Sequence, residues 1–119
     1  MANPNIVQVT LINGNTAVAN VTTSATAIIT NTASSAKVYK INGILVTNID
    51  PTNSATITVD LFRSSVAYAM TSNVVVSSGT TYTPVDKTLS LYLLEGDSLR
   101  VTANANSRLQ AVATWEEIS

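Results

Sequence analysis

The sequence predicts an all-β domain, an antiparallel β-sandwich or jelly roll of about eight to ten short strands. Three observations carry that prediction. Val and Thr recur throughout, and both are β-branched residues suited to a pleated sheet. Apolar and polar residues alternate with period two over short runs, and no run shows the 3.6-residue period of a helix. Clusters of Gly, Pro, Asn, Asp and Ser fall between these runs at intervals of roughly 8–12 residues.

The chain has 119 residues, the size of one domain, so the reading is a single β-sandwich spanning 1–119. A domain of this length buries roughly two-thirds of the surface its unfolded chain exposes, enough for a core without covalent staples.

In chain order, "IVQVTLI" alternates from Ile6 to Leu11, and Asn13-Gly14 follows it. Asn-Gly tolerates the positive φ angles of a tight turn, so a hairpin into "NTAVANV" is expected. "TAIITNT" is the next strand and "ASSA" a loop. In "KVYKINGILVTNI", Asn42-Gly43 could be a second hairpin turn; the preferred reading is one long strand with a bulge there. Tyr39 and Ile41 share one face before the Gly, whereas Ile44 and Val46 fall on the other parity after it. Both faces of Ile44-Leu45-Val46 are apolar, so each side calls for a cover. Asp50-Pro51-Thr52-Asn53 is a turn, because Pro presets φ and the polar side chains can bond nearby amides.

"SATITVDLF" is the cleanest amphipathic strand, with Ala55, Ile57, Val59 and Leu61 inward and Thr56, Thr58 and Asp60 outward. Phe62 then falls on the outward face. "VAYAM", "NVVVS" and "LSLYLL" read as three further strands. Glu95-Gly96-Asp97-Ser98 turns into "SLRVTAN", which directs Leu99, Val101 and Ala103 inward. The last strand, "LQAVATWEE", places Leu109, Ala111, Ala113 and Trp115 on one face.

Composition excludes several kinds of chemistry. The chain has no Cys and no His, which removes disulfides, thiolate ligands, imidazole ligands and the commonest general base. Charged residues make up 11% and the net charge is −1. Six scattered Lys and Arg form no basic stripe for nucleic acid. No apolar run approaches the roughly 20 residues that span a bilayer. "MANPNIVQV" has no basic segment leading into an apolar one, so it does not read as a secretory signal. Asn20-Val21-Thr22 fits a glycosylation acceptor, which without export carries no weight.

Candidate catalytic and metal groups reduce to structural ones. Glu95 and Asp97 share a turn, but nothing apolar in the sequence desolvates either, so Asp97→Ala is expected to cost only on the order of 1 kcal/mol. Asp50, Asn53 and Asp60 offer oxygens for calcium, yet the first two are explained by their turn and Asp60 by its strand. No serine sits in a G-x-S-x-G elbow. The expectation is a chain with no enzymatic activity, no cofactor and no metal. A low-charge surface rich in Thr, Ser and Asn suits close subunit packing, because few charges need desolvation. The candidate interface residues are the aromatic anchors Tyr39, Phe62, Tyr68, Tyr82 and Tyr92, with Ile44 and Val46.

The order "KVYKINGILVTNIDPTNSATITVDLF" followed by "LSLYLLEGDSLRVTANANSRLQAVATWEEI" resembles small virion structural proteins of tailed bacteriophages, of the kind found in marine and cyanobacterial phages. The marks are Val46 and Asn48, then Leu93, Gly96, Asp97, Leu99 and Val101, then Glu117 and Ile118. They cover roughly residues 35–118 and are turn and core positions, so they bear on fold more than on task. The resemblance implies a β-sandwich that decorates or cements a capsid, or sits in the neck or tail. It implies a virion location, a major capsid protein or other virion protein as partner, and a homo-oligomer, taken as a trimer. It brings no catalytic residue. The alternative is a carbohydrate-binding or host-recognition module on the head, neck or tail surface, for which six aromatics are a thin supply.

Overall fold

The structure, a computed structural model, describes residues 10–89 and 91–119. Nine strands form two antiparallel sheets. They are β1 (Ile12–Val21), β2 (Thr26–Thr30), β3 (Val38–Asn48), β4 (Ala55–Arg63), β5 (Val66–Val76), β6 (Thr81–Val85), β7 (Leu91–Leu93), β8 (Ser98–Ala103) and β9 (Leu109–Ile118). Among the described residues, one 3-10 turn at Lys87–Leu89 is the only helical element. The first sheet runs β1-β9-β3-β6, with β7 beside β6 on the same edge of β3; the second runs β2-β8-β4-β5. The strand orders β1-β9-β3-β6 and β2-β8-β4-β5 are those of a jelly roll, with β4 and β5 a hairpin within the second sheet and the short β7 inserted. The all-β sandwich expected from the sequence is the fold.

The core lies between the sheets. Ile29, Ile57, Val59, Leu99 and Val101 from the second sheet meet Ile41, Ile44, Val46, Leu93, Leu109 and Ala113 from the first. Every inward residue assigned to β8, and all but Leu61 on β4, is buried; Leu61 is partly buried.

The bulge in β3 is present. Ile41 pairs with Trp115 and Gly43 with Thr114, so Asn42 is the extra residue. It resets the parity, and Tyr39, Ile41, Ile44 and Val46 all turn inward. Gly43 is required by a close approach: a Cβ there would lie 3.1 Å from the Val85 carbonyl oxygen.

Three expectations need correction. Asn13-Gly14 is not a hairpin turn; β1 runs straight through it, paired with Glu117 and Glu116 of β9. A strand from the far end of the chain fixes that stretch, and its local turn propensity yields to ladder bonds. The part of the first predicted strand before Thr10 lies outside the described residues. "VAYAM" and "NVVVS" are one strand, β5, whose register against β4 shifts twice, and these bulges break the alternation between the two halves. β6 was not expected at all, since Pro84 argues against a strand interior. It sits on an edge, where a missing N–H does no harm.

Deleting Asn42 removes the bulge and leaves Ile41, Ile44 and Val46 inward in simple alternation against Trp115, Ala113 and Ala111, so the variant should keep a cooperative melting transition. Leu99→Ala, at a fully buried position, should keep the fold and lose about 2–5 kcal/mol in denaturant titration.

Candidate functional site

The acidic turn that closes β7 is a brace. Gly96 has φ +86°, a left-handed conformation that favours glycine, and Asp97 follows it almost fully buried, at 2% exposure. Asp97 accepts a bond from Arg63 Nε at 2.8 Å and a second from the same guanidinium. It also accepts the Leu94 N–H at 2.9 Å. Asp97 holds the Arg63 guanidinium above its usual pKa. This corrects the view of Asp97 as a solvated turn residue: its desolvation comes from packing, and its counter-ion from the end of β4. Glu95 points elsewhere, accepting the Ala36 N–H at 2.7 Å. The two carboxylates thus serve separate structural partners.

Two buried asparagines tie loops to the core, and sequence reasoning singled out only one. Asn48, the end of the Val-x-Asn mark, donates to the carbonyls of Asn53 and Val76, each at 2.9 Å, and accepts the Asp50 N–H. Asn31, fully buried, donates to the carbonyls of Lys37 and Leu93 and joins the Asp97 turn through backbone bonds. Its only sequence signal was a polar residue ending an apolar run.

Asp60 lies on the outward face of β4, as expected, but is buried because Arg100 lies over it, with Nε 2.8 Å from Oδ1. The same guanidinium stacks on Phe62, 4.1 Å from the ring centroid, a cation–π contact. Asp50 accepts the N–H groups of Thr52 and Asn53, and these bonds lower its pKa to about 2. Among the described residues, no group of three acidic side chains is placed to hold a metal.

The candidate interface residues divide. Tyr39, Ile44 and Val46 are core residues and present no surface to a partner, which corrects their assignment. Tyr39 stacks on Trp115 with centroids 6.2 Å apart, and burial raises its pKa. Trp115 lies inward and partly buried, as its parity predicts. Tyr82 is half-buried against the core. Phe62 is covered by Arg100, Tyr92 is half-buried, and Tyr68 is exposed on β5.

A different surface stands out, the outer face of the β1-β9-β3 sheet. Register places Val18, Val112 and Leu45 side by side across three strands, at 75%, 37% and 41% exposure. Thr16, Thr114 and Gly43 form the row on one side. Asn20, Gln110, Thr47 and Thr81 form the row on the other. No residue in these three rows is ionisable. The first charges, Glu116 and Lys40, come one row further along. Leu45 is the outward apolar residue for which the sequence demanded a cover, and nothing in the described chain covers it.

No protein-family model matches the chain, and no curated protein matches it. Among solved structures it is similar to a chain from Bacillus endospore appendages, described as "a novel family of disulfide-linked pili". That likeness spans 100% of this chain and 96% of the other, with a TM-score of 0.58 and 14% identity. It shows a shared fold. Having no cysteine, this chain cannot form disulfide links.

Arg63→Ala leaves Asp97 buried without its counter-ion and should cost about 3 kcal/mol or more. Asp97→Ala frees a guanidinium that can rehydrate, and should cost about 2 kcal/mol. Chemical denaturation of both variants checks the order. Asp50 has a folded pKa below its unfolded value of about 3.9, so its stabilisation is present above pH ~4 and is lost as pH falls towards ~2. The melting temperature of Asp50→Asn should fall less steeply across that window than that of the parent.

Proposed function

We propose that the chain is a non-enzymatic structural protein of a phage virion, a capsid decoration or cement subunit. It would work by covering surface on the major capsid protein or another virion protein, adding contacts that oppose expansion and rupture. The observation that carries this reading is the neutral outer face of the β1-β9-β3 sheet, with Val18, Val112 and Leu45 in its centre. Burying that face strips water from hydroxyls, amides and apolar groups only, so no charge has to be desolvated. Specific stable interfaces take roughly 800 Å² from each partner, so the apolar row would be the centre of a contact whose rim includes its polar neighbours.

Two further points support the reading. The motifs on which the resemblance to phage virion proteins rests have structural roles: Asn48 closes the end of β3, and Gly96-Asp97 locks β7 to β4. The endospore-appendage neighbour is a pilus component, so a sandwich of this shape serves there as a subunit of an assembly.

Leu45→Glu places a charge at the β3 end of the row at an exposed position, where stability should change by about 1 kcal/mol or less. Retention of the variant on stripped particles of the encoding phage, after a heat step, should drop at least tenfold. Wild-type retention by a folded Leu45→Glu subunit would show that this face is not the contact.

A further inference from the structure

An open sheet edge is a template for another strand, and stable proteins blunt such edges with short strands, charges, prolines or bulges. Among the described residues, three of the four free edges carry such a device. β2 has five residues and a register shift between Ala27 and Ile29. β5 is bulged twice against β4, and its Asn73 has φ +50°. β6 is short and contains Pro84. β1 has none of them. It is ten residues long, contains no charge and no proline, and pairs with β9 through ten consecutive residues without a shift. Among the described residues, nothing pairs with its other side.

We propose that β1 is an assembly edge that pairs antiparallel with β1 of a second copy of this chain, about a two-fold axis at Val18. The inference goes beyond the virion reading and stands without it.

The hydrogen-bonding phase supports the pairing. Leu11 and Ser119 bond each other in both directions, and the register from Ile12 to Val21 is unbroken. Odd residues of β1 therefore bond β9, while Gly14, Thr16, Val18 and Asn20 turn their N–H and C=O groups to the open edge. With the axis at Val18, that residue faces the partner's Val18, and Thr16 faces the partner's Asn20. All of these groups point outward and are free to bond. On the inner side Ala17 faces the partner's Ala19, small against small.

The side chains select that register. Centred on Val18, the row Leu45–Val112–Val18 continues into its own copy, giving one apolar stripe across six strands. Centred on Thr16, the same strand would set Val18 against Gly14 and Ala17 against Asn15. Neither strand brings a charge, so nothing repels the second copy. A ten-residue strand is about 34 Å long, and one edge contact takes less than the roughly 800 Å² per partner of a tight interface. The dimer is therefore weak in dilute solution and strengthened where subunits are held close together.

The absence of cysteine makes cross-linking a clean test. Directly opposed, bonded residues have Cα atoms about 5.5 Å apart, within disulfide reach. Val18→Cys should form a disulfide dimer on mild oxidation. Thr16→Cys should not, because two Thr16 positions lie roughly 14 Å apart in this register. Sedimentation of the unmodified protein up to millimolar concentration should show a monomer–dimer equilibrium. Val18→Lys, at an exposed position, should be monomeric throughout with an unchanged melting temperature. Failure of Val18→Cys to cross-link, equal cross-linking of Thr16→Cys, or a dimer that survives Val18→Lys would each overturn the proposal. None of these outcomes depends on whether the subunit binds a capsid.

Discussion

One bulge sets the two sides of the first sheet. β9 pairs with β1 on one flank and β3 on the other, and only the β3 flank carries an extra residue, Asn42. Because side chains alternate with period two, this sequence in an unbulged strand would turn Ile44 and Val46 outward; the bulge absorbs Asn42 and offsets the phase by one residue. Ile44 and Val46 thereby enter the core and Leu45 is left outside, level with Val112 and Val18. The buried core and the exposed apolar row are consequences of the same register. Gly43 permits this where a Cβ would lie 3.1 Å from the Val85 carbonyl oxygen of β6.

Charge is distributed to match. With 11% charged residues, the chain uses its ions as braces. Arg63–Asp97 ties β4 to the turn before β8, and Arg100–Asp60 crosses β8 and β4. Arg108–Asp50 and Lys37–Glu117 join strand ends to loops. The buried carboxylates of Asp60 and Asp97 are in hydrogen-bonded pairs, the condition under which burying a charge is tolerable. What remains on the centre of the β1-β9-β3 face is hydroxyl, amide and hydrocarbon. That surface has low desolvation cost and no electrostatic defence against a partner.

How much of this could be read in the sequence depends on how local each cause is. The amphipathic alternation of β4, β8 and β9 and the parity switch at Gly43 are properties of neighbouring residues, and they were legible. The burial of Asp97 was not, because its counter-ion Arg63 is 34 positions away. Asn13-Gly14 carries a strong turn signal that pairing with β9 overrides. Tyr39, Ile44 and Val46 were read as interface because an apolar residue in a bulged strand gives no sign of which side it faces. Val18 drew no attention, lying in a weakly apolar run of Ala, Thr and Asn. It became visible once register set it beside Val112 and Leu45.

The central claim is that β1 is an edge kept open for a partner. Residue-resolved amide hydrogen exchange of the unmodified protein tests it most directly, at low and at high protein concentration. In the monomer Thr16, Val18 and Asn20 should exchange freely, while Ala17 and Ala19 are protected by β9. At high concentration the first three should gain protection, and the edges at β2, β5 and β6 should not change. Exchange at Thr16, Val18 and Asn20 that is independent of concentration, or new protection confined to β5, would contradict the account.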